Sequence, residues 1–159
     1  LLRSGGVSAV KIHGLRRQTG LTTGSFYHHF DGMSDYLEEL AGFWGRDTPD
    51  HLREAQDPDP RLRLRKLASI VPREGLLNLD MAMRDWAGSD RAAAAAVERV
   101  DESLLGFVAE AFGDLGFDTA ESQVRAHAWI AFGVARIRPP WPVDGEVVDR
   151  FIDLLCNPR

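Results

Sequence analysis

One short segment of the chain concentrates hydrogen-bond donors, and it reads TTGSFYHH at positions 22–29. Hydroxyl and imidazole groups donate to phosphate oxygens and to base edges, which is how proteins contact nucleic acid. The small side chains at positions 22–25 would let a helix that begins there approach a duplex closely. The free N–H groups and the positive dipole end of such a helix favour a phosphate. The segment therefore predicts a nucleic-acid interface.

The same residues suggest two alternative kinds of site, a metal site and a catalytic triad. His28 and His29 suggest a metal site, but adjacent residues point to different sides of a helix and no third ligand follows at i+4 spacing. Ser25, His28 and Asp31 suggest a catalytic triad, but they share one short helix and no oxyanion hole is in view. Without a carboxylate pair, a metal cluster or a nucleophile constellation, the sequence predicts neither an enzyme nor a cofactor nor a metal.

Two short helices must position these donors. A helical pattern from Ile12 stops at Gly20, and a threonine at 22 or 23 can cap a second helix that runs to about Phe30. Two short helices joined by a tight glycine turn fit a helix-turn-helix, whose second helix enters the major groove. Phe26 and Phe30 are four residues apart and are expected to face inward as core.

The charge is distributed unevenly along the chain. The net charge is −5, yet residues 1–30 hold four basic side chains and no acidic one. Residues 31–46 hold four acids and one base, and residues 47–159 hold 14 bases against 20 acids. This asymmetry is typical of a small nucleic-acid-binding head on an acidic body. Chance is the alternative, because four bases in thirty residues is an ordinary density.

In two segments, GVSAVKIHGL at 6–15 and TGLTTGSFYHHF at 19–30, the chain resembles the N-terminal DNA-binding domain of the TetR family of transcriptional regulators. The glycine spacing and the Tyr-x-His-Phe ending are more specific than a generic helix-turn-helix. The close match covers about residues 1–45, and the remainder is similar only in the number, length and order of its helices. The resemblance implies a homodimer that binds a palindromic operator and releases it when a small molecule enters the C-terminal domain.

The resemblance also implies which residues contact DNA. Lys11 and His13 stand where the supporting helix meets phosphate and base, and positions 23–25 form the base-reading start of the recognition helix. Tyr27 and His29 fall on positions that usually bind backbone phosphate in the family. The predicted DNA-binding residues are Lys11, His13, Thr22, Thr23, Gly24, Ser25, Tyr27, His28 and His29.

Three positions depart from the family pattern. Met33 stands where a phosphate-binding lysine is common, Asp31 is acidic where a base is frequent, and Lys11 replaces a capping Thr or Ser. These departures suggest weaker nonspecific electrostatics or a different set of phosphate contacts. The family's first helix should start before Leu1, so the chain is expected to begin inside that helix.

Helical patterns continue after the Asp31-Gly32 turn, with Ser34 as the expected cap of the third helix. The total is eight or nine helices with short connections, and no strand pattern is convincing. We therefore predict an all-α fold. It comprises an N-terminal helix-turn-helix DNA-binding domain at 1–46, with its first helix truncated, and a C-terminal helical bundle at 47–159 for effector binding and dimerisation.

Methionine and aromatic side chains cluster in the body of the chain. Such residues line pockets for apolar ligands, and they also simply fill cores. The resemblance places the effector cavity among them, and the expected effector is a small apolar or aromatic molecule. The predicted ligand-binding residues are Met81, Met83, Trp86, Phe107, Phe112 and Trp129.

The helix predicted at 120–138 is apolar nearly all round, so it must be covered on both sides. The last helix, near 146–155, could share that surface, and two helices from each subunit would form a four-helix dimer interface. The alternative is a central helix in a monomer. The predicted interface residues are Val124, Ala128, Ala131, Ala135, Val148, Phe151, Ile152 and Leu155.

Cysteine content and hydropathy indicate the cellular compartment to expect for the chain. The single cysteine, Cys156, excludes an intramolecular disulfide framework, and no apolar run reaches the length of a membrane span. A cytoplasmic protein without a membrane partner is the expectation. The main alternative to a DNA-binding regulator is a helical module that binds a small molecule or a partner without binding DNA.

Overall fold

The structure is a computed structural model that describes residues 1–73, 75–134 and 145–157. Those residues form ten α-helices and one short 3-10 turn at Val7–Ala9, with no strand, which confirms the all-α prediction for the described part of the chain. The helices are α1 (Leu2–Gly5), α2 (Ile12–Thr19), α3 (Thr23–His29), α4 (Met33–Phe43), α5 (Thr48–Ala55), α6 (Pro60–Arg73), α7 (Leu76–Ala87), α8 (Arg91–Asp114), α9 (Thr119–Val134) and α10 (Gly145–Cys156).

Short-range caps explain where several helices begin. The hydroxyl of Thr22 accepts the N–H of Ser25 at 3.1 Å, which caps α3 as predicted. The carboxylate of Asp90 accepts the N–H of Ala93 at 2.9 Å and so starts α8. Asp118 starts α9 in the same way. Each cap satisfies a backbone donor that the first turn of a helix leaves without a partner.

The expected cap of α4 is wrong. The helix begins at Met33, one residue before the predicted Ser34 cap, and Gly32 at its N-cap provides no side-chain bond. Instead, the carboxylate of Asp35 accepts the N–H of Asp31 at 2.9 Å. This reverse bond ties the preceding turn to the first turn of α4, so a hydroxyl cap at position 34 is not needed.

The chain divides into two compact units, each built from two separate segments. The first unit comprises Leu1–Asp47 and Gly75–Val100, and the second comprises Thr48–Glu74 and Asp101–Arg159. The predicted domains at 1–46 and 47–159 are by contrast continuous segments. Helix α8 has 24 residues, about 36 Å at 1.5 Å per residue, and contributes to both units.

The core of the first unit joins side chains that are distant in sequence. Its buried members are Leu2, Val10, Ala41, Met83, Trp86, Ala93 and Ala96. Gly14 of α2 is buried beside this core, and a Cβ at that position would lie 3.4 Å from the side chain of Leu1, near an ordinary contact distance. The helices that precede position 47 are therefore packed together with α7 and the first turns of α8.

The second unit has its own core and a set of ion pairs and hydrogen bonds that hold α10. Fully buried side chains include Leu64, Ile70, Val108, Phe112, Ile152 and Cys156. Arg65 of α6 reaches Asp149 and Asp153 of α10, each at 3.0 Å. Arg61 and Arg125 donate to backbone carbonyls at the end of α10, where positive charge is favourable. Helix α10 is thus fixed to α6 by ion pairs and at its C-terminus by two arginines.

A buried arginine connects α6 to the end of α8. Arg63 is 7% exposed, and its guanidinium lies 2.8 Å from the carboxylate of Asp114. Nearby, Lys66 lies 2.8 Å from Asp57, and the hydrogen bond from Lys66 lowers the pKa of that carboxyl, with a smaller effect from the N–H of Asp59. These contacts stabilise the connection between α5 and α6, which the sequence marks as Asp57-Pro58-Asp59-Pro60.

Candidate nucleic-acid interface

Helices α2 and α3 are joined by a turn of three residues, 20–22. Gly20 adopts a left-handed conformation (φ 74°), which a residue with a side chain rarely takes. The hydroxyl of Thr19 donates to the carbonyl of Leu15 at 2.9 Å and accepts the N–H of Leu21 at 3.3 Å. The end of α2 and the direction of the chain into α3 are therefore fixed by local bonds.

Three aromatic rings hold α3 against α4. Phe26 is 8% exposed, and its ring centroid lies 5.3 Å from that of Phe30 and 5.6 Å from that of Tyr36. Phe30 and Tyr36 meet edge to face at 5.0 Å, a favourable arrangement for aromatic pairs. Phe26 is buried and Phe30 is half-buried, in agreement with their expected inward orientation. The opposite side of α3 is consequently directed to solvent.

The solvent-facing side of α3 carries the donors that the sequence singles out. Gly24, Tyr27, His28 and His29 are exposed, and Tyr27 keeps 55% of its surface accessible. Thr23 and Ser25 are half-buried beside them. We use the name "α3 outer face" for Gly24, Tyr27 and His28, which follow one another at i, i+3 and i+4. A glycine beside two long donors leaves this face open to close approach by a ligand.

The first turn of α3 is less free than the sequence suggests. The N–H of Ser25 donates to the Thr22 hydroxyl, and the N–H of Phe26 donates to the Thr22 carbonyl at 3.2 Å. The Ser25 N–H is therefore not available to a phosphate, contrary to expectation, whereas the Phe26 N–H makes the first regular i→i−4 bond of α3. The Thr22 hydroxyl keeps its proton for donation, since its oxygen is the acceptor in the cap.

The two adjacent histidines do not form a metal site with other described residues. Their ring centroids lie 5.0 Å apart in an edge-to-face arrangement. Within the described part of the chain, no group of three or more His, Cys, Asp or Glu side chains could hold a metal ion. Both rings are exposed and can act as hydrogen-bond donors.

The basic residues at the N-cap and within α2 lack ion-pair partners in the described part of the chain, unlike the basic residues of α6. Lys11, His13, Arg16 and Arg17 are exposed, and none of them forms an ion pair with any described residue. The basic residues of α6 form ion pairs, for example Arg61 and Arg65 with Asp153. The sequence-based set omitted Arg16 and Arg17, although their spacing of three and four residues from His13 indicates one side of a helix.

The six predicted ligand-binding residues are divided between the two units. Met81, Met83 and Trp86 belong to the first unit, where Met83 is fully buried and Trp86 is 4% exposed. Phe107, Phe112 and Trp129 belong to the second unit, where the two phenylalanines are buried and Trp129 is half-buried. Met83 and Trp86 pack into the first unit's core.

The predicted dimer residues lie on surfaces of very different exposure. Val124 is 69% exposed and is accompanied by the exposed Ala128 and Ala131, whereas Val148, Phe151 and Leu155 are half-buried. Ile152 is fully buried in its own unit and has no surface to offer a partner, which corrects its assignment. Ala135 lies outside the described residues. The assignment missed Leu154, which is 72% exposed and lies seven residues after the exposed Val147.

Comparison of the chain with models of protein families, with curated proteins and with solved structures finds no match. Among the described residues, no helix combines the length and the hydropathy that crossing a membrane requires.

Proposed function

We propose that this chain is a ligand-responsive transcriptional repressor that binds palindromic operator DNA as a homodimer. The observation that carries the proposal is the α3 outer face, a glycine flanked by Tyr27 and His28, directed to solvent by the buried Phe26. A helix held rigidly from behind, with small residues at its start and long donors on its outer side, suits the major groove. Its resemblance to the TetR pattern supports the same function.

In the proposed complex, α2 braces against the sugar–phosphate backbone and α3 enters the major groove. Tyr27 and His29 donate to phosphates and fix the register of α3, while Thr23 and Ser25 meet base edges. The hydroxyls of Thr23 and Ser25 can donate to or accept from a base, so they read sequence. No covalent step is involved, and we propose no catalytic activity, cofactor or metal.

We expect Tyr27→Phe to weaken binding to all duplexes alike, because it removes one phosphate donor and keeps the ring. Ser25→Ala should instead change the sequence preference, with a loss of about 1–3 kcal/mol at the base it reads. Both variants are measured by anisotropy titration on duplexes selected from a random pool. The matched control is Tyr36→Phe, since Tyr36 packs against Phe26 and Phe30 behind α3. Unchanged operator affinity in Tyr27→Phe would contradict the phosphate assignment.

Dimerisation is proposed through α9 and α10. The supporting observation is the exposed apolar surface of Val124, Ala128 and Ala131 on α9, together with the exposed Leu154 on α10. Two copies of this chain related by a twofold axis would cover that surface and present two copies of α3, one to each half of a palindromic operator.

The effector is proposed to be a small apolar or aromatic molecule that lowers operator affinity. This part rests on the resemblance, and the coupling cannot exceed the ligand's preference for the non-binding state, typically 1–3 kcal/mol. Thermal-shift screening of apolar ligands, followed by operator titration with each hit, should identify molecules that both stabilise the protein and raise the operator Kd. Hits that stabilise the protein and leave the Kd unchanged would refute effector control.

A second candidate is a helical module that binds a small molecule or a partner without binding DNA. The observation that favours it is the acidic character that follows α3 directly: Asp31, Asp35, Glu38 and Glu39 lie at or on α4. Salt-dependent retention on immobilised duplex DNA decides between the two. Elution of the wild-type chain at the lowest salt would favour the second candidate.

A further inference from the structure

We infer that Arg16 and Arg17 form a phosphate clamp with His13 on α2, an assignment that rests on the proposed DNA-binding function. The three residues follow one another at i, i+3 and i+4, so they share one side of the helix. All three are exposed, whereas Leu15, about 200° around the helix from His13 at 100° per residue, packs against the core of the first unit. The side of α2 that carries positive charge is thus the side turned away from the core.

The clamp residues carry charge that the described protein does not neutralise. Neither Arg16 nor Arg17 lies within 4.0 Å of a carboxylate in the described part of the chain. In α6, by contrast, Arg63 lies 2.8 Å from Asp114 and Arg65 lies 3.0 Å from both Asp149 and Asp153. Cations left without partners, in a segment that has no acidic residue, are suited to release counterions from a phosphate backbone.

A purely structural role for the same arginines makes a different prediction. Arg16 and Arg17 lie in the last turn of α2, where positive side chains interact favourably with the helix dipole. Such a role would appear as a change in thermal stability and would leave the salt dependence of duplex binding unchanged. The clamp requires that the salt dependence change, because each phosphate contact releases counterions.

The experiment measures the operator Kd between 50 and 200 mM salt, a range over which about 6–10 phosphate contacts produce large losses of affinity. We expect Arg17→Gln to reduce the magnitude of the slope of log K against log salt concentration by about 0.9 for each bound copy of α2. The double variant that combines Arg17→Gln with Arg16→Gln should reduce this magnitude by about 1.8 for each copy. Arg17→Lys should retain the slope. The matched control is Arg91→Gln, which removes one exposed charge from α8 in the same unit and should leave the slope unchanged.

Each result supports or overturns the clamp. A wild-type slope in Arg17→Gln and in the double variant, with or without a lower Tm, overturns it. If Tyr27→Phe still weakens binding in that case, the proposed DNA-binding function stands without the clamp. A wild-type chain that binds no duplex at any salt concentration overturns both. Equal slope changes in Arg91→Gln and Arg17→Gln overturn the clamp as well, because they indicate general attraction by net charge.

Discussion

Trp86→Ala is expected to lower the free energy of unfolding by about 3–5 kcal/mol, the usual cost of removing a large buried aromatic side chain. Trp86 is 4% exposed and packs in one cluster with Leu2, Val10 and Ala41. Leu2 lies in α1, Val10 just before α2 and Ala41 in α4, all in the unit that contains α3. Because loss of this core would disturb the helices around α3, operator affinity should fall as well. Urea unfolding followed by circular dichroism measures the first effect, and operator titration measures the second.

Trp129→Ala is the matched control for this variant, since it removes the same side chain from a half-buried position in the second unit. Its loss of stability should be smaller, because less apolar surface is removed from a packed environment. Its effect on operator affinity should also be smaller. If Trp86→Ala kept full stability and changed only the response to apolar ligands, the side chain would line a ligand pocket, as the sequence suggested.

Ala131→Glu is expected to convert dimers into monomers. Ala131 is exposed on α9 beside Val124 and Ala128, and a partner covering this surface would bury the new carboxylate without a counterion. An unpaired buried charge costs about 3–5 kcal/mol, and a twofold axis places two of them at one interface. Sedimentation at micromolar concentration should therefore show wild-type dimers and a monomeric variant of 17.7 kDa.

The control is Leu77→Glu, which places the same charge on a residue of α7 that is 42% exposed. It should sediment like the wild type, since α7 is not part of the proposed interface. Phe151→Glu is less informative, because Phe151 stacks on Phe132 with ring centroids 4.0 Å apart and the change would also disturb the protomer. A wild-type chain that sediments as a monomer, or an unchanged dimer in Ala131→Glu, would refute the interface.

Local signals predicted several helix ends, but the count of eight or nine helices was too low, since the described residues alone form ten. The Thr22 cap of α3 and the stop of α2 at Gly20 depend on bonds between residues only a few positions apart. Such bonds are readable from residue type and spacing. The prediction of a Ser34 cap was wrong because α4 begins one residue earlier, at Met33, where the carboxylate of Asp35 accepts the backbone N–H of Asp31.

Packing between distant segments was not predictable in the same way. The methionine and tryptophan of α7 were consistent both with a pocket and with a core, and only the structure shows that Met83 and Trp86 lie in one buried cluster with Leu2 and Val10. Helical periodicity defines an apolar face and not the neighbour that covers it. For this reason Ile152, predicted on a dimer surface, is fully buried within its own unit, while Leu154 two residues later is 72% exposed.

In the candidate site, the types of donor could be predicted and their availability could not. Gly24, Tyr27 and His28 are exposed as a DNA contact requires. The same Thr22 cap that residue type predicts occupies the N–H of Ser25, and so removes one of the backbone donors expected for a phosphate. Whether a cation is neutralised depends on carboxylates brought close by folding, so the contrast between Arg17 and Arg65 emerged only from the structure.

Because the first unit is built from two separate segments, an exchange of one continuous segment with another chain cannot transfer it complete. An exchange of residues 1–47 with another chain would separate Leu2, Val10 and Ala41 from the α7 and α8 side chains that complete their core. The transplantable module is instead Leu1–Asp47 together with Gly75–Val100, which a single genetic crossover cannot transfer without the intervening segment. Transfer of the α3 outer face together with its complete core therefore requires transfer of residues 75–100 as well.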